Sequence, residues 1–352
     1  MNKFNWFIAG CLILLFGLVS GCRTHEIETT YKVKLTPQMK TRAAALKQIV
    51  AKCQEFGVYL DEASRKVYAK KPTVLASHCS MLGITDLYLT VSIKRYNADN
   101  IYAQQLRKLA QCMKQRTIRV WIILDNVSFF TWVDKLGKDG EANITSDSVE
   151  DIIGFAGDTF AENGRIAGIL LVINPKMMNN SNPNLPSNLL YSWGEDKYGI
   201  GKDNDTIMDY SFKIIRAVKR YAGKTKVILV IPHFIHDDKQ QGKLSSGDIN
   251  EFLACSDRVI ITDFASKFKK VRIQAETELR AAKKANSISI CMEMDSDAIN
   301  GNAYGKAVNS KDWAYTLRGF QYIIRRGNAF PAFRGITIYD YAGLERTWEF
   351  SD

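Results

Sequence analysis

The sequence predicts an α/β fold of the (β/α)8 barrel type, in which eight parallel strands close into a cylinder inside a ring of helices. Three observations lead to this prediction. Eight short runs rich in apolar and β-branched residues recur along the 352-residue chain, and most are continuously apolar, as strands covered on both faces must be. Longer segments with helical spacing separate the runs. The last run lies near the C-terminus, which suits closure.

The predicted strands alternate with predicted helices. Apolar residues recur at helical spacing in Gln104–Lys114, Ser211–Tyr221 and Lys267–Ala285. Pro72 suits a first helical position and Asp248 an N-cap. A doubly wound open sheet is the alternative, but no GxGxxG follows the first run. The eight runs are Val58–Asp61, Leu87–Val91, Val120–Asp125, Ile169–Asn174, Val227–Ile231, Val259–Asp263, Ile288–Glu293 and Ile336–Asp340.

The N-terminus predicts a cleaved signal peptide. Lys3 precedes an apolar run, Phe7–Val19, and small residues lead to Cys22, which is the plan of a secretory signal. Thirteen apolar residues are short for a spanning helix, which needs about 20. The segment resembles the lipobox of bacterial lipoproteins, and that resemblance implies a membrane anchor through lipid on Cys22. The alternative is an uncleaved anchor. We expect residues 1–21 to be the signal, 22–50 the lipidated N-terminus and tether, and 51–352 the barrel.

Composition disfavours several function classes. The formal net charge is +11, but the basic residues are scattered and form no stripe interleaved with aromatic residues, so we expect no nucleic-acid partner. The chain has no phosphate-binding glycine loop and no GxSxG, so we expect no nucleotide cofactor and no serine-hydrolase chemistry. Apart from Cys11 and Cys22, five cysteines remain, without a CxxC pair. They indicate no disulfide framework, and nothing in the sequence indicates an oligomeric state.

Carboxylates end or follow five of the predicted strands. At the carboxyl end of a barrel strand such a side chain reaches the face where barrel enzymes keep their sites. Two carboxyl groups are what glycosidic cleavage requires, because one protonates the leaving oxygen while the other attacks or activates water. The alternative is that these residues cap helices or pair with Lys and Arg. The six residues are Asp61, Asp125, Asp263, Glu293, Asp295 and Asp340.

Two stretches resemble bacterial glycoside hydrolase-like barrels, among them the family 18 chitinases. Asp257–Asp295 reads DRVIITDFAS…AETELRAAKKANSISICMEMD, similar to the sixth and seventh strands of those barrels. The closing stretch FRGITIYDYAGLERTW, residues 333–348, is similar to their eighth strand with its downstream Trp. The resemblance implies a barrel that takes poly- or oligosaccharide as its ligand.

The fourth strand departs from that family. Chitinase-like barrels carry D-G-x-D-x-D-x-E there, and the last glutamate is the general acid. Here Ala167, Leu170, Val172 and Asn174 occupy the acidic positions, and an amide cannot donate and recover a proton at neutral pH. A family 18-type mechanism is therefore not expected. If the barrel is an enzyme, the resemblance leaves Glu293 as nucleophile or base, with Asp263, Asp295 or Asp340 as its partner.

Aromatic residues follow the third, fourth and eighth strands, where flat rings can stack on sugars. The two longest gaps, Phe129–Ser146 and Pro175–Asp205, are rich in loop-forming residues. His233 and His236 follow the fifth strand, but HxxH outside a helix has no defined ligand geometry, so no metal site is expected. The candidate ligand-binding residues are Asp61, Asp125, Asn174, Trp193, His233, Tyr339 and Trp348.

The sequence therefore predicts an extracytoplasmic lipoprotein of the cell or outer membrane, whose glycoside hydrolase-like barrel binds carbohydrate without family 18-type catalysis. Two alternatives remain. The barrel is an active glycosidase that uses Glu293, or the protein is a structural lipoprotein of the envelope that binds no ligand.

Overall fold

A computed structural model describes residues 35–60, 68, 70–91, 96, 98–124, 166–173, 203–262, 267–294 and 313–350. Eight parallel strands close into a barrel in sequence order, with the last strand paired to the first. The predicted (β/α)8 fold is confirmed. The strands are β1 (Glu55–Leu60), β2 (Asp86–Thr90), β3 (Arg119–Leu124), β4 (Gly168–Val172), β5 (Lys226–Pro232), β6 (Arg258–Thr262), β7 (Ile288–Glu293) and β8 (Phe333–Tyr339).

Helices surround the strands. Among the described helices, none is long and apolar enough to cross a membrane. They are α1 (Pro37–Val50), α2 (Pro72–Leu82), α3 (Asn100–Gln115), α4 (Asn204–Ala222), α5 (Phe234–Gln240), α6 (Ile249–Ala254), α7 (Phe268–Gln274), α8 (Glu276–Ala281), α9 (Trp313–Gly327) and α10 (Tyr341–Phe350).

Local sequence signals set several helix boundaries. Pro72 opens α2, and Gly83 ends it in the left-handed conformation, which glycine adopts without steric cost. Asp248 caps α6 in a reciprocal capping box with Glu251. The single helix expected over 267–285 is two short helices, α7 and α8, which meet at Ala275.

A helix precedes the first strand. Thr36 caps α1 by accepting a hydrogen bond from the Met39 amide, and proline occupies its first turn. The helix buries Ala43, Leu46 and Val50, and it belongs to the same compact unit as the strands. The helix α1 is therefore part of the folded unit.

Aromatic rings fill the barrel interior, and glycines make room for them. A Cβ atom at Gly57 would lie 2.5 Å from the Tyr88 ring, and one at Gly168 would lie 2.7 Å from the Trp121 ring. Each glycine thus lets a large side chain from the neighbouring strand lie over its own strand. The buried interior cluster comprises Tyr59, Tyr88, Trp121, Ile123, Leu170, Ile228, Val230, Ile260 and Cys291.

The amino-terminal end of the barrel is closed by charged side chains, which we call the floor cluster: Glu55, Asp86, Arg119, Arg258 and Arg334. Both carboxylates are fully buried. The guanidinium of Arg119 donates to both oxygens of Asp86 at 2.8 and 2.6 Å. Arg258 donates to Asp86 at 3.3 Å and forms an ion pair with Glu55, and Arg334 Nε donates to Glu55 at 3.0 Å.

Neutral donors complete the floor cluster. Trp121 Nε1 donates to Asp86 Oδ1 at 2.7 Å, and the Tyr88 hydroxyl donates to Glu55. The Arg258 guanidinium lies 4.6 Å from the centre of the Trp121 ring, within cation–π range. Burial, followed by repulsion from Arg334, lowers the pKa of Arg258 to about 9. The buried carboxylates are thus satisfied by groups of the same chain, as buried charges must be.

Candidate active site at the barrel mouth

The seventh strand delivers a carboxyl group to the mouth, the carboxyl end of the barrel. Cys291 belongs to the interior cluster, and side chains alternate along a strand, so Glu293 also faces the interior, one layer higher. Glu293 is the last residue of β7 and is 2 % exposed. A carboxylate at the end of a barrel strand was expected from sequence, and at β7 it lies where barrel sites are found.

The Glu293 carboxyl is incompletely satisfied. Its Oε1 atom is buried and has no hydrogen-bond partner among the described residues. Burial, followed by repulsion from Asp340, raises the pKa of Glu293 to about 8. The carboxyl therefore holds its proton at neutral pH, so it can donate a hydrogen bond or a proton. Strongly raised carboxyl pKa values are typical of functional sites, although burial alone also produces them.

Asp340 follows β8 directly and is 2 % exposed. Its Oδ1 atom accepts a hydrogen bond from the Gly343 amide at 2.8 Å, so the carboxylate caps the first turn of α10. The electrostatic effect on the Glu293 pKa shows that both groups belong to one neighbourhood. Asp340 thus caps a helix, which was the alternative to a catalytic role in the sequence analysis. It also lies close enough to Glu293 to influence the pKa of that carboxyl.

Two tyrosines extend the mouth from β7 to β1. Glu293 pairs with Tyr339 in the register of β7 and β8, and the Tyr339 ring lies 5.2 Å from that of Tyr59 on β1. Tyr339 is 41 % exposed, which leaves part of its ring accessible. We call Glu293, Tyr339 and Tyr59 the mouth row. It places a protonated carboxyl group and an accessible aromatic ring side by side.

The fourth strand contributes apolar groups to the interior. Leu170 is fully buried in the interior cluster, and Ala167 and Val172 pack against that cluster. The sequence analysis aligned all three with acidic positions of the chitinase motif. Asn174, the fourth such position, lies outside the described residues. Within the part of β4 that the structure describes, no side chain can act as an acid.

The two histidines after β5 have separate surroundings. The Nε2 atom of His233 lies 2.8 Å from the side-chain amide nitrogen of Gln274. His236 is fully buried, and its Nδ1 atom accepts a hydrogen bond from the Ile249 amide at 3.3 Å. Burial lowers the pKa of His236. His233 keeps partial exposure at the end of β5, and its role in ligand binding stays a prediction.

Trp348 is a correction to the sequence analysis, which listed it as a ligand-binding residue. Its side chain is fully buried, and its indole nitrogen donates to the Met39 carbonyl oxygen at 3.0 Å. Its ring meets the His78 ring edge-on at 5.2 Å. The residue lies in α10 rather than in a loop. Trp348 therefore joins α10 to α1 and has no surface to offer a sugar.

Several predicted residues lie outside the described part of the chain. These include Cys22 and most of the loops Phe129–Ser146 and Pro175–Asp205. Among the candidate residues, the structure brings together Glu293, Asp340 and Tyr339. The candidates that lie outside the described residues are Asp61, Asp125, Asn174, Trp193, Asp263 and Asp295.

The sequence analysis missed Tyr59. The residue lies in the first predicted strand, two residues before Asp61. Alternation along the predicted strand Val58–Asp61 assigns Tyr59 to the face expected for Asp61, so the signal was present in the sequence.

Comparison with solved structures shows the same fold among glycosidases. A GH18 chitinase from Pseudoalteromonas aurantia has 7% sequence identity and a TM-score of 0.52 over 84% of this chain and 97% of that chain. The likeness is one of fold. A chitinase from Chromobacterium violaceum has 12% identity and a TM-score of 0.47, covering 84% of this chain and 99% of that one. The spore cortex-lytic enzyme of Bacillus megaterium has 10% identity and a TM-score of 0.47, covering 84% and 72%.

Sequence comparison adds no family assignment. No family model matches the chain, and no curated protein sequence matches it. The evidence for function therefore comes from the residues of the barrel mouth, because one barrel fold hosts many unrelated activities.

Proposed function

We propose that the protein is a lipid-anchored, extracytoplasmic barrel that binds poly- or oligosaccharide at its mouth without family 18-type catalysis. The observation that carries the proposal is the mouth row, in which the buried carboxyl of Glu293 lies beside the accessible ring of Tyr339. Sugar sites combine a flat apolar surface with a few placed polar groups. The motif resemblance of β6 to β8 supports carbohydrate as the ligand class.

The fourth strand supports binding over family 18-type cleavage. Leu170 belongs to the interior cluster and Val172 packs against it. In family 18 chitinases the positions aligned with these two residues are acidic. An apolar side chain can neither protonate a leaving group nor hold a water for attack. Binding of a sugar by the mouth row requires neither a general acid nor an activated water.

A second candidate is a glycosidase with Glu293 as general acid and Asp340 as its carboxylate partner. The observation in its favour is the pKa of Glu293, raised to about 8. Glycosidases keep their acid protonated at neutral pH by burial and by a neighbouring carboxylate.

Glycan binding by the full chain tests both candidates. The protein is purified in a detergent without a sugar head group and applied to a glycan panel, with product analysis. We expect wild type and Glu293→Gln to bind without cleavage. Cleavage by wild type alone, with binding kept in Glu293→Gln, would establish the glycosidase. Glu276→Gln is the matched control, because Glu276 pairs with Arg272 and Arg280 on the outer helices.

Absence of binding by all three proteins would remove carbohydrate recognition and favour a structural role in the envelope. The anchor is tested separately. Labelled palmitate should enter the wild-type protein and not Cys22→Ala, and only the wild type should sediment with membranes. Equal labelling of both proteins would exclude Cys22 as the lipidated residue.

A further inference from the structure

The mouth row holds a second buried polar atom without a partner. Tyr59 is 5 % exposed, and its hydroxyl has no hydrogen-bond partner in the part of the chain that the structure describes. Buried tyrosine hydroxyls are usually paired, and each exception calls for a reason. The neighbouring Tyr88 shows the usual case, since its hydroxyl donates to Glu55 in the floor cluster.

The strand register places Tyr59 in the same row as Glu293. Val58 on β1 pairs with Ile338 on β8, so the next residue of each strand, Tyr59 and Tyr339, lies at the same level. Tyr339 in turn pairs with Glu293 on β7. All three side chains come from adjacent strands, in the order β7, β8 and β1. Tyr59 and Glu293, each with a polar atom that has no partner among the described residues, thus lie on the strands on either side of Tyr339.

A purely structural role does not explain the hydroxyl. The Tyr59 ring packs between the rings of Tyr88, at 4.8 Å, and Tyr339, at 5.2 Å. A phenylalanine would make the same ring contacts without burying a polar atom. Burying an unsatisfied donor costs stability, so the hydroxyl acts against the packing that surrounds it. An unsatisfied buried group calls for an explanation, and a ligand that supplies the missing partner is one.

We infer that the Tyr59 hydroxyl and the Glu293 carboxyl are the two polar contacts of one subsite, which takes an uncharged sugar unit and stacks it on Tyr339. This inference rests on the proposed function. Both groups can donate to a sugar oxygen and accept from a sugar hydroxyl. Among the described residues, the Asp340 carboxylate adds to the effect of burial on the Glu293 pKa, so a uronate would bring a like charge towards Asp340.

Tyr59→Phe tests the subsite because it removes the hydroxyl and keeps the ring. We expect the affinity of the full chain for its neutral oligosaccharide to fall about fivefold to tenfold, as for the loss of one hydrogen bond. We expect the melting temperature to stay unchanged or to rise. The matched control is Tyr88→Phe, in which the lost hydroxyl belongs to the floor cluster. It should lower the melting temperature and leave the affinity unchanged.

The outcomes separate this inference from the proposed function. Unchanged affinity in Tyr59→Phe, with sugar binding intact, would overturn the subsite and leave the proposed function standing. If Tyr59→Phe lowers the affinity and also lowers the melting temperature as much as Tyr88→Phe does, the hydroxyl is structural and the subsite is overturned too. A uronate oligosaccharide that binds more tightly than its neutral counterpart would refute the uncharged ligand class. Absence of any glycan binding by wild type would refute the proposed function and the subsite together.

Discussion

At the floor of the barrel, three guanidinium groups surround two buried carboxylates, and each carboxylate accepts several hydrogen bonds from groups of the same chain. At the mouth, the Glu293 carboxyl and the Tyr59 hydroxyl are also buried, yet each has an atom without a partner among the residues that the structure describes. Both ends use strand termini of one closed sheet. The difference lies in whether the polar groups are satisfied within the chain.

This difference assigns different roles to the two ends. Satisfied buried charges stabilise one arrangement of the strands, and removal of a partner leaves an uncompensated charge. Unsatisfied polar groups lower stability and are retained where binding or chemistry needs them. In (β/α)8 barrels the amino-terminal face serves stability and the carboxyl-terminal face carries the site. Mutations at the floor should therefore change stability, whereas mutations at the mouth should change ligand binding.

The largest expected effect is at the floor. Asp86→Ala removes the shared acceptor of Arg119, Arg258 and Trp121, so it should lower the free energy of unfolding by about 3–5 kcal/mol. Chemical denaturation of the full chain measures it. The control is Asp238→Ala, which breaks the partly exposed pair with Lys243 and should cost less than about 1 kcal/mol. Equal losses in both variants would remove the special status of the floor.

The second prediction concerns the pH dependence of the mouth. The pKa of Glu293 is about 8 in the folded chain, against an ordinary value of 4.5. Between these values the folded state holds a proton that the unfolded state has released, so raising the pH favours unfolding. Wild type should lose about 1.4 kcal/mol per pH unit relative to Glu293→Gln, or about 3 kcal/mol from pH 5 to 7. Asp340 is the charged neighbour that contributes to this dependence.

Denaturation of both proteins at a series of pH values checks this. Subtracting the free energy of unfolding of Glu293→Gln from that of wild type at each pH removes the contribution of every other titrating group that the substitution does not affect. Parallel stability curves from pH 5 to 8 would show that Glu293 is ionised at neutral pH in the folded protein. Glu293 would then be a solvated anion, and the mouth would no longer differ from the floor in holding an unsatisfied buried polar group.

The strands were predictable from sequence, whereas their long-range contacts were not. Continuous apolar runs indicate parallel strands locally, and a carboxylate at the end of one run identified Glu293. The ion pair between Arg258 and Glu55 and the hydrogen bond from Arg258 to Asp86 depend on closure of the barrel, which brings together strands far apart in sequence. No local pattern contains that information.

The burial of Trp348 could have been predicted from the local sequence. Tyr341, Leu344 and Trp348 are all fully buried, and their spacing of three and four residues is that of one helical face. The sequence analysis gave weight to the likeness of the closing segment to sugar-binding barrels and treated this face as a loop. Helical periodicity would have predicted a core residue.

The third prediction tests that correction. Trp348→Phe removes the hydrogen bond to Met39 and part of a fully buried ring, so it should lower the free energy of unfolding by about 2 kcal/mol. The affinity for glycan should not change, because the residue lies between α1 and α10 rather than at the mouth. Denaturation and glycan binding of the same preparation measure both. A weakened affinity with unchanged stability would return Trp348 to the binding site.

The smallest expected effect is at the exposed edge of the mouth row. Tyr339 is 41 % exposed, so Tyr339→Ala should change the free energy of unfolding by less than about 1 kcal/mol. It removes the ring on which a sugar would stack, and the affinity should fall about fivefold, equivalent to about 1 kcal/mol. Tyr315→Ala, at a similarly exposed tyrosine on α9, is the control and should bind glycan normally. Loss of affinity in both variants would indicate a non-specific effect. Loss in Tyr339→Ala alone would tie recognition to the mouth, because there a small change in stability accompanies a measurable change in binding.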